Sequence, residues 1–525
     1  MYDPLPRFDW PGFKFSLKCL TVVAVFVLCA RFGPGIVATI LAGTKTTYRN
    51  VAASIRSAPV QQAHAVNILN NDRVTLIAAL LTTYQPQISA TISTVLAQVN
   101  QPVPTILDTS IPLSPATTAP RIITTFDLAA HIPATGKAIA ADLAGMKVQL
   151  FEDGAVVAEY PIISKGKEGS RWQTPVGAYT IESKEKNHLS SIGDVYMPYS
   201  MEFYGNFFIH GWPYYPDSTP VRLGFTGGCI RLSTPDAAKV FAFADIRTPI
   251  LVYESSADPL TSHSITAARL PDVSAESYLV ADVNTGEVFA EKNASVVRPI
   301  ASLTKLITSI VANEAITYDR PITITSHVMT TLGETLFKKG DVLTATELQY
   351  PLLMQSDNGA AVALADSFGS SGFISLMNAK ASALGMNDTH FEDPHGISEH
   401  NVSSAEDLFR LAHYFYNNQK FLLNITRLPQ KVLAANGAHK TYQLYNFNVF
   451  ADRPEFLGGK TGSTTAARQT MTALFSYADQ GDPSGTSTMA IIVLGSDNRK
   501  KDVSALYDWT LGALNKAPTF AEAKN

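Results

Sequence analysis

The sequence predicts a multidomain chain in which an N-terminal membrane helix and stalk precede a mostly-β domain and then an α+β domain. A chain of 525 residues is too long to bury a single core. It opens with a basic segment followed by a continuous apolar run, the pattern of a membrane-entering segment. Further on, one stretch reads as short strands almost throughout, and the next sets helical periods between strand-like runs, the order of an α+β domain.

Residues 19–30, CLTVVAVFVLCA, follow Arg7, Lys14 and Lys18 and alone suit the core of a signal peptide. Carried past Arg31 to Gly43, the run is long enough to span a bilayer. With no lipobox and weak cleavage signals, 1–43 reads as a cytoplasmic tail and uncleaved signal-anchor, a buried core helix being the alternative. Lys45, Arg49 and Arg56 balance the upstream cations, so charge does not fix the orientation. Residues 44–125, rich in Ala, Thr, Gln, Asn and Ser and ending in QPVPTILDTSIPLSPATTAP, read as a stalk with one or two helices within 66–99.

Residues 126–254 carry the β pattern. AIAADLAGMKVQLFEDGAVVAEYPI turns at Glu152-Asp153-Gly154, and TPVGAYTI, MEFYGNFFIHG and TPILVYES continue it. TPDAAKVFAFAD is a helix with Thr234 as N-cap and Pro235 at the first helical position. Residues 255–276 read as a linker. In 277–516 a hairpin turns at Asn284-Thr285-Gly286, helical patterns run from Ser302 to about Gln419, and strands return at 470–477 and 488–494 before a closing helix; 517–525 are a tail.

The net charge of −4 and a 46% hydrophobic content suit globular domains and argue against disorder or a nucleic-acid surface. Three cysteines are too few for a disulfide framework, and two lie in the apolar run, which leaves Cys229 without a folded-domain partner. An unpaired thiol in an exported domain is an oxidation liability, so a reactive role is weighed against a buried inert one.

In the second domain Ser302-Leu-Thr-Lys305 precedes the helical run LITSIVANEAI. Residues three apart share a helix face, so Lys305 can present its amine to the Ser302 hydroxyl, and burial would lower its pKa enough for it to act as base. The same spacing at Ser164-Lys167 and Ser183-Lys186 has no helix behind it and reads as accidental. Ser302 has company in order: Ser356-Asp357-Asn358, then Lys460-Thr461-Gly462. A second Ser-Asp-Asn at Ser496 is out of order. With its S-x-x-K, S-D-N and K-T-G set, 277–516 resembles the low-molecular-mass penicillin-binding proteins of the D-alanyl-D-alanine carboxypeptidase family, with their serine β-lactamase-like fold.

That resemblance implies that Ser302 is acylated, that Lys305 takes its proton, and that Ser356 and Asn358 line the cleft and assist proton transfer. Lys460 and Thr461 would hold the substrate carboxylate, Gly462 would let substrate backbone lie close, and the Ser302 N–H would form half of an oxyanion hole. A β-lactamase-like hydrolase is the alternative. However, Glu392, Glu399, Glu406 and Glu455 lack the Glu-x-x-Leu-Asn context of its deacylating acid, so β-lactams are expected as covalent inhibitors.

His210, in IHG at a strand end, is the histidine placed to serve Cys229 as base. In Thr226-Gly-Gly-Cys229-Ile-Arg231 the glycines, Gly228 among them, free backbone N–H groups for an oxyanion, and Arg231 supplies a cation to lower the thiol pKa or grip a carboxylate. IHG followed by TGGCIRL resembles the L,D-transpeptidase family, although Gly227 stands where that family's Ser/Thr-His-Gly-Cys signature has histidine. The two resemblances imply a bifunctional peptidoglycan enzyme acting on stem peptides. It would be single-pass with both catalytic domains extracytoplasmic, would need no cofactor and no metal, and its second domain would supply tetrapeptide to its first. A non-catalytic, peptidoglycan-binding first domain is the rival.

Overall fold

Asp153 and Gly154 both take positive φ (50° and 77°), closing a tight turn of the kind that suits the twist of two antiparallel strands. This is the predicted hairpin, and it opens the first domain. Strands β1 (Lys137–Asp142), β2 (Lys147–Glu152), β3 (Ala155–Pro161) and β4 (Gly177–Thr180) are followed by β5 (Ser183–Ser190), β6 (Val195–Tyr204), β7 (Phe207–His210), β8 (Ile230–Arg231) and β9 (Pro249–Tyr253). They form two sheets, in the orders β3-β2-β1-β9-β4 and β5-β6-β7-β8. Helix α1 (Thr234–Phe243) follows β8, and its N-cap is Ser233, whose hydroxyl accepts from the Asp236 N–H; Thr234, the expected cap, is instead the first helical residue. The computed structural model describes residues 121–123, 131–190, 193–255, 269–330, 335–479 and 485–514.

The second domain starts with β10 (Ser277–Asp282) and β11 (Val288–Lys292). Helices α2 (Thr304–Ala315), α3 (Ala345–Met354), α4 (Asn358–Phe368), α5 (Ser370–Ala383), α6 (Ala405–Asn418) and α7 (Lys420–Arg427) follow. Strands β12 (Phe456–Thr464), β13 (Arg468–Ala478) and β14 (Thr486–Ser496) and helix α8 (Arg499–Leu514) complete it. Sheet order β11-β10-β14-β13-β12 joins both ends of the domain in one antiparallel sheet, as the sequence predicts. Helix α2 is buried from Thr304 to Ala312 because its TKLITSIVA stretch is apolar on more than one face. The out-of-order Ser496 has a structural role: its hydroxyl donates to Asp502 at 2.6 Å and accepts from the Asn498 N–H at the start of α8. Ser183 and Lys186 share strand β5, where residues three apart point to opposite faces.

The membrane helix expected within 1–43, the helices within 66–99, most of the stalk, the middle of the linker and the tail at 517–525 lie outside the described residues. Among the described residues no single helix is long and apolar enough to cross a membrane. Both flanks that were expected to be free are tied down where they are described. Ile123 donates to the Gly286 carbonyl and Val288 to the Arg121 carbonyl, so the end of the stalk pairs with the β10–β11 hairpin of the second domain. In the linker, Ser274 donates to Asp502 at 2.7 Å and Ala275 is fully buried.

The two catalytic domains share one apolar cluster, running from Ile139 and Ile209 through to Ile307 and Leu408. At its polar centre stands Lys380 of α5, fully buried. Its ammonium reaches Glu314 Oε2 at 2.8 Å, the Tyr179 hydroxyl at 2.9 Å and the Tyr414 hydroxyl at 3.4 Å. Two hydroxyls and an ion-paired carboxylate thus surround the ammonium, one hydroxyl coming from the first domain, and Lys380 also lies 4.3 Å above the Tyr204 ring of that domain. Glu314 accepts in turn from Tyr414 and from Gln419. Burial lowers the Lys380 pKa and Glu314 opposes that shift.

Removing one member of a buried pair strands the other charge, at a cost of about 3–5 kcal/mol, whereas replacing both with apolar side chains is often neutral. Glu314→Ala should therefore lower the thermal midpoint of the full chain strongly, and Glu314→Leu combined with Lys380→Met should recover most of the loss. Circular dichroism melting curves of the three proteins check this.

Candidate active sites

Ser302 sits in a 3-10 turn, Ala301–Leu303, that leads directly into α2. The turn is made by Ala301 at φ 50°, and Ser356 ahead of α4 takes φ 60°; both are non-glycine residues in the left-handed region, where strain collects at functional sites. Lys305 Nζ lies 2.9 Å from Ser302 Oγ, 2.7 Å from Asn358 Oδ1 and 2.5 Å from the His395 carbonyl oxygen. Burial holds the Lys305 pKa down at about 7, against the opposing charges of Asp393 and Asp357. A neutral amine has two hydrogens and one lone pair. The carbonyl oxygens of Asn358 and His395 take the two hydrogens, which turns the lone pair to the Ser302 hydroxyl.

The strand carrying Lys460, Thr461 and Gly462 is β12, paired with β13 so that Gly462 faces Thr470. A Cβ on Gly462 would stand 2.9 Å from the Ser302 backbone nitrogen and 2.4 Å from Thr470 Oγ1, so only glycine lets this strand lie against the serine turn. Lys460 donates to the Thr461 carbonyl at 2.7 Å, and Arg499 donates to the Gly462 carbonyl at 2.7 Å. Burial, then the charges of Lys305 and Arg499, push the Lys460 pKa well down. An anionic ligand such as a carboxylate would oppose that shift, drawing a proton onto Lys460 beside the Arg499 guanidinium. Ser356 is half-buried two residues before Asn358, in the loop that Asp357 closes by accepting from the Ala360 N–H at 2.7 Å.

In the first domain β7 runs parallel to β8, with Ile209 opposite Ile230 and His210 opposite Arg231. Both isoleucines enter the core, so alternation puts Phe208, His210, Cys229 and Arg231 on the other face. His210 is buried, and its Nδ1 lies 2.6 Å from the Gly211 carbonyl, which can only accept. The proton therefore sits on Nδ1 and Nε2 is left as the basic nitrogen. Burial holds the His210 pKa down at about 4, so the ring is neutral at rest.

Arg231 does not make a resting thiolate. Cys229 is only partly exposed, and its burial outweighs the help of Phe208 and Arg231, pushing the thiol up to about 11. Arg231 itself is buried over the Trp212 ring at 5.3 Å, and among the described residues its Nε and Nη1 have no hydrogen-bond partner. Two guanidinium N–H groups in that condition suit the second predicted role, gripping a carboxylate. Gly228 takes φ 104°, and a Cβ there would lie 2.3 Å from the Phe207 ring. Its N–H is already engaged by the Thr226 hydroxyl at 3.1 Å.

Two contributors escaped the sequence reading. The His395 carbonyl is a backbone group, presented by a turn in which Asp393 accepts from the N–H groups of His395, Gly396 and Ser398. Arg499 opens a helix well beyond the last motif, and only the fold returns it to Gly462. Aspartate and glycine in EDPHGIS were the available signal for the turn.

Fold and geometry present two candidate acyl-transfer sites, one around Ser302 and Lys305, the other where Cys229 and His210 share a face of adjacent strands. Residues 264–484 match the D-alanyl-D-alanine carboxypeptidase family and residues 136–252 the L,D-transpeptidase catalytic domain. A D-alanyl-D-alanine endopeptidase of Escherichia coli is 32% identical over 216 residues, which is 38% of this chain and 67% of that protein. One of Pseudomonas aeruginosa is 35% identical over 184 residues, 34% of this chain and 58% of that protein. A D-alanyl-D-alanine carboxypeptidase of Mycobacterium tuberculosis is 32% identical over 209 residues, 38% of this chain and 70% of that protein. The chain belongs to the D-alanyl-D-alanine carboxypeptidase family, and it joins to that domain an L,D-transpeptidase catalytic domain.

Two pH dependences follow. Lys305 accepts a proton from Ser302 only when unprotonated, so penicillin acylation of Ser302 should rise with pH through a midpoint of about 7 and level off above it. Stopped-flow acylation across that range checks it. Cys229 alkylation by iodoacetamide in the unliganded chain should still be climbing at about pH 9, where an unperturbed thiol has largely ionised. A plateau near neutrality would mean a preformed thiolate.

Proposed function

We propose that the chain is a membrane-anchored, bifunctional peptidoglycan enzyme of the extracytoplasmic face. Its second domain hydrolyses D-alanyl bonds through Ser302, and its first cross-links stem peptides through Cys229. The observation that carries the serine reading is the buried Lys305 amine 2.9 Å from Ser302 Oγ, with the Asn358 and His395 carbonyl oxygens placed to take two of its hydrogens. Ser302 attacks the peptide carbonyl, its proton passes to Lys305, and the departing amine takes that proton as the C–N bond breaks. Ser356 and Asn358 line the proton path, Lys460, Thr461 and Arg499 receive the substrate carboxylate, and water releases the acyl group. The glutamates between Asn358 and Lys460 lack the Glu-x-x-Leu-Asn context of a deacylating acid, which supports slow release of a bound β-lactam over a β-lactamase.

In the first domain Cys229 attacks the carbonyl ahead of the terminal D-Ala of a tetrapeptide stem as its proton moves to Nε2 of His210. D-Ala leaves with that proton and a thioester remains. An acceptor amine then breaks the C–S bond, returning a proton to the thiol. The Arg231 guanidinium, whose Nε and Nη1 have no hydrogen-bond partner among the described residues, supports a carboxylate-bearing donor. Relatives of the second domain are named both endopeptidases and carboxypeptidases, and trimming of a terminal D-Ala is the reading under which the second domain supplies the first.

Fluorescent penicillin should label Ser302, and Ser302→Ala should abolish the label; undiminished labelling sinks the serine assignment. In muropeptide profiles, Cys229→Ala and His210→Ala should each lose cross-links between the third residues of two stems. Ser302→Ala should lose them on pentapeptide wall but keep them on tetrapeptide wall. Equal cross-linking of both walls by Ser302→Ala would instead mark the second domain as an endopeptidase.

A further inference from the structure

Between β3 and β4 the first domain sends out a loop whose end is gripped by the second domain. Its own bonds hold it: the Gly166 N–H donates to Thr174 Oγ1 at 3.0 Å and the Gly169 N–H to Gln173 Oε1 at 2.8 Å. A Cβ on Gly166 would stand 1.8 Å from the Trp172 carbonyl oxygen, so the two sides of the loop touch through backbone. Trp172 also backs the nucleophile segment. Its ring lies 3.9 Å from where a Gly227 side chain would start, and its carbonyl 3.4 Å from that point on Gly228. With Phe225, Lys167, Thr226 and Gly227 it lines a cavity of about 410 Å³ against the segment that leads into Cys229.

The residues that fix this loop come from the second domain. The Arg171 guanidinium lies 4.6 Å from the Tyr318 ring centre and 4.8 Å from that of Phe421, and donates to Thr346 Oγ1 at 3.0 Å. Thr346 in turn donates to the Tyr318 carbonyl at 2.9 Å, closing the cycle. The Trp172 ring meets Tyr318 edge-on at 5.7 Å and 89°, and Gln173 donates to the Asn417 carbonyl at 3.3 Å.

We infer that the second domain positions the wall of the thiol cleft: Tyr318, with Thr346 and Phe421, holds Arg171 and Trp172 in the place that shapes the cavity against the segment leading into Cys229. The ligand class is a peptide donor whose apolar flank packs on Trp172 and Phe225 and whose anionic end faces Lys167. This rests on Cys229 being the transpeptidase nucleophile. Tyr318 is a positioning residue. It touches the loop that lines the cleft, and its effect is on how the donor is bound.

The test uses the full chain. Tyr318 is 44% exposed, so Tyr318→Ala removes the ring with little loss of core. Tyr318→Ala and Arg171→Ala should each raise the KM for a tetrapeptide donor by roughly three- to tenfold, the scale of an aromatic or cation–π contact, with kcat within about twofold. Tyr318→Phe, which keeps the ring, should restore the wild-type KM. Penicillin acylation of Ser302 should stay within about twofold in all three, as it reads the other cleft. An unchanged KM in Tyr318→Ala overturns the inference, and so does a parallel loss of Ser302 acylation, which would mean general misfolding. Alkylation of Cys229 by a bulky maleimide, followed on its own peptide by mass spectrometry, is independent of turnover. Tyr318→Ala should change its rate and Tyr318→Phe should not. If the wild-type chain fails to cross-link, the transpeptidase reading falls by itself, and the maleimide rates alone then decide: no change in Tyr318→Ala overturns the positioning.

Discussion

Lys380 is the constraint on which the union of the two domains depends. A buried ammonium is tolerated only when its donors are matched, and here Glu314 and Tyr414 of the second domain supply two partners and Tyr179 of the first the third. Tyr179 also donates to the Val176 carbonyl, so the network runs into the loop that precedes β4. Separating the domains would leave Lys380 short of an acceptor and expose the Tyr179 and Tyr204 rings. The tethering law for a flexible linker, in which effective concentration falls with linker length, therefore does not govern this pair. The geometry between the two clefts is set by a packed interface, and residues 269–276 follow it as part of the second domain.

Both nucleophiles rest neutral, for the same reason and with different consequences. Burial lowers the Lys305 pKa to about 7 and so makes a base available near neutrality, whereas burial keeps the proton on Cys229 and strips it from His210. At the serine the pair is poised before substrate arrives, since the amine already faces the hydroxyl. At the cysteine, charge separation into thiolate and imidazolium is unfavourable in the empty cleft. Under the proposed function it would become favourable when a substrate carbonyl is in place to take the electron pair and Nε2 of His210 takes the proton.

How much of this was legible followed from locality. Asp153-Gly154 and Ser302 with Lys305 were readable because turn chemistry and helix spacing act over a few residues. The pairing of Lys305 with Asn358 was legible through motif order. Groups whose role depends on distant packing were hidden. The His395 carbonyl has no side-chain signature, Arg499 reaches Gly462 only through the closed sheet, and the Arg171 site is assembled from Tyr318, Thr346 and Phe421. The expected electrostatic effect of Arg231 on Cys229 was right in sign. It was outweighed because a sequence carries the charge of a neighbour and not the depth of burial.

The raised pKa of Cys229 also bears on how an unpaired, partly exposed cysteine would fare in the oxidising compartment proposed for these domains. Oxidation and disulfide exchange proceed through the thiolate, so susceptibility follows thiolate population and access. With its pKa pushed to about 11, Cys229 holds only a trace of thiolate near neutral pH. A nucleophile activated in advance by Arg231 would be faster with substrate and also open to every oxidant that reached it. The observed arrangement separates the two needs. A low thiolate fraction would protect the resting thiol, the Gly211 carbonyl leaves Nε2 of His210 basic, and Arg231 Nε and Nη1, without hydrogen-bond partners among the described residues, would suit the carboxylate of the proposed donor. Reactivity is thereby tied to occupancy of the cleft, and the cleft wall is itself held by the neighbouring domain.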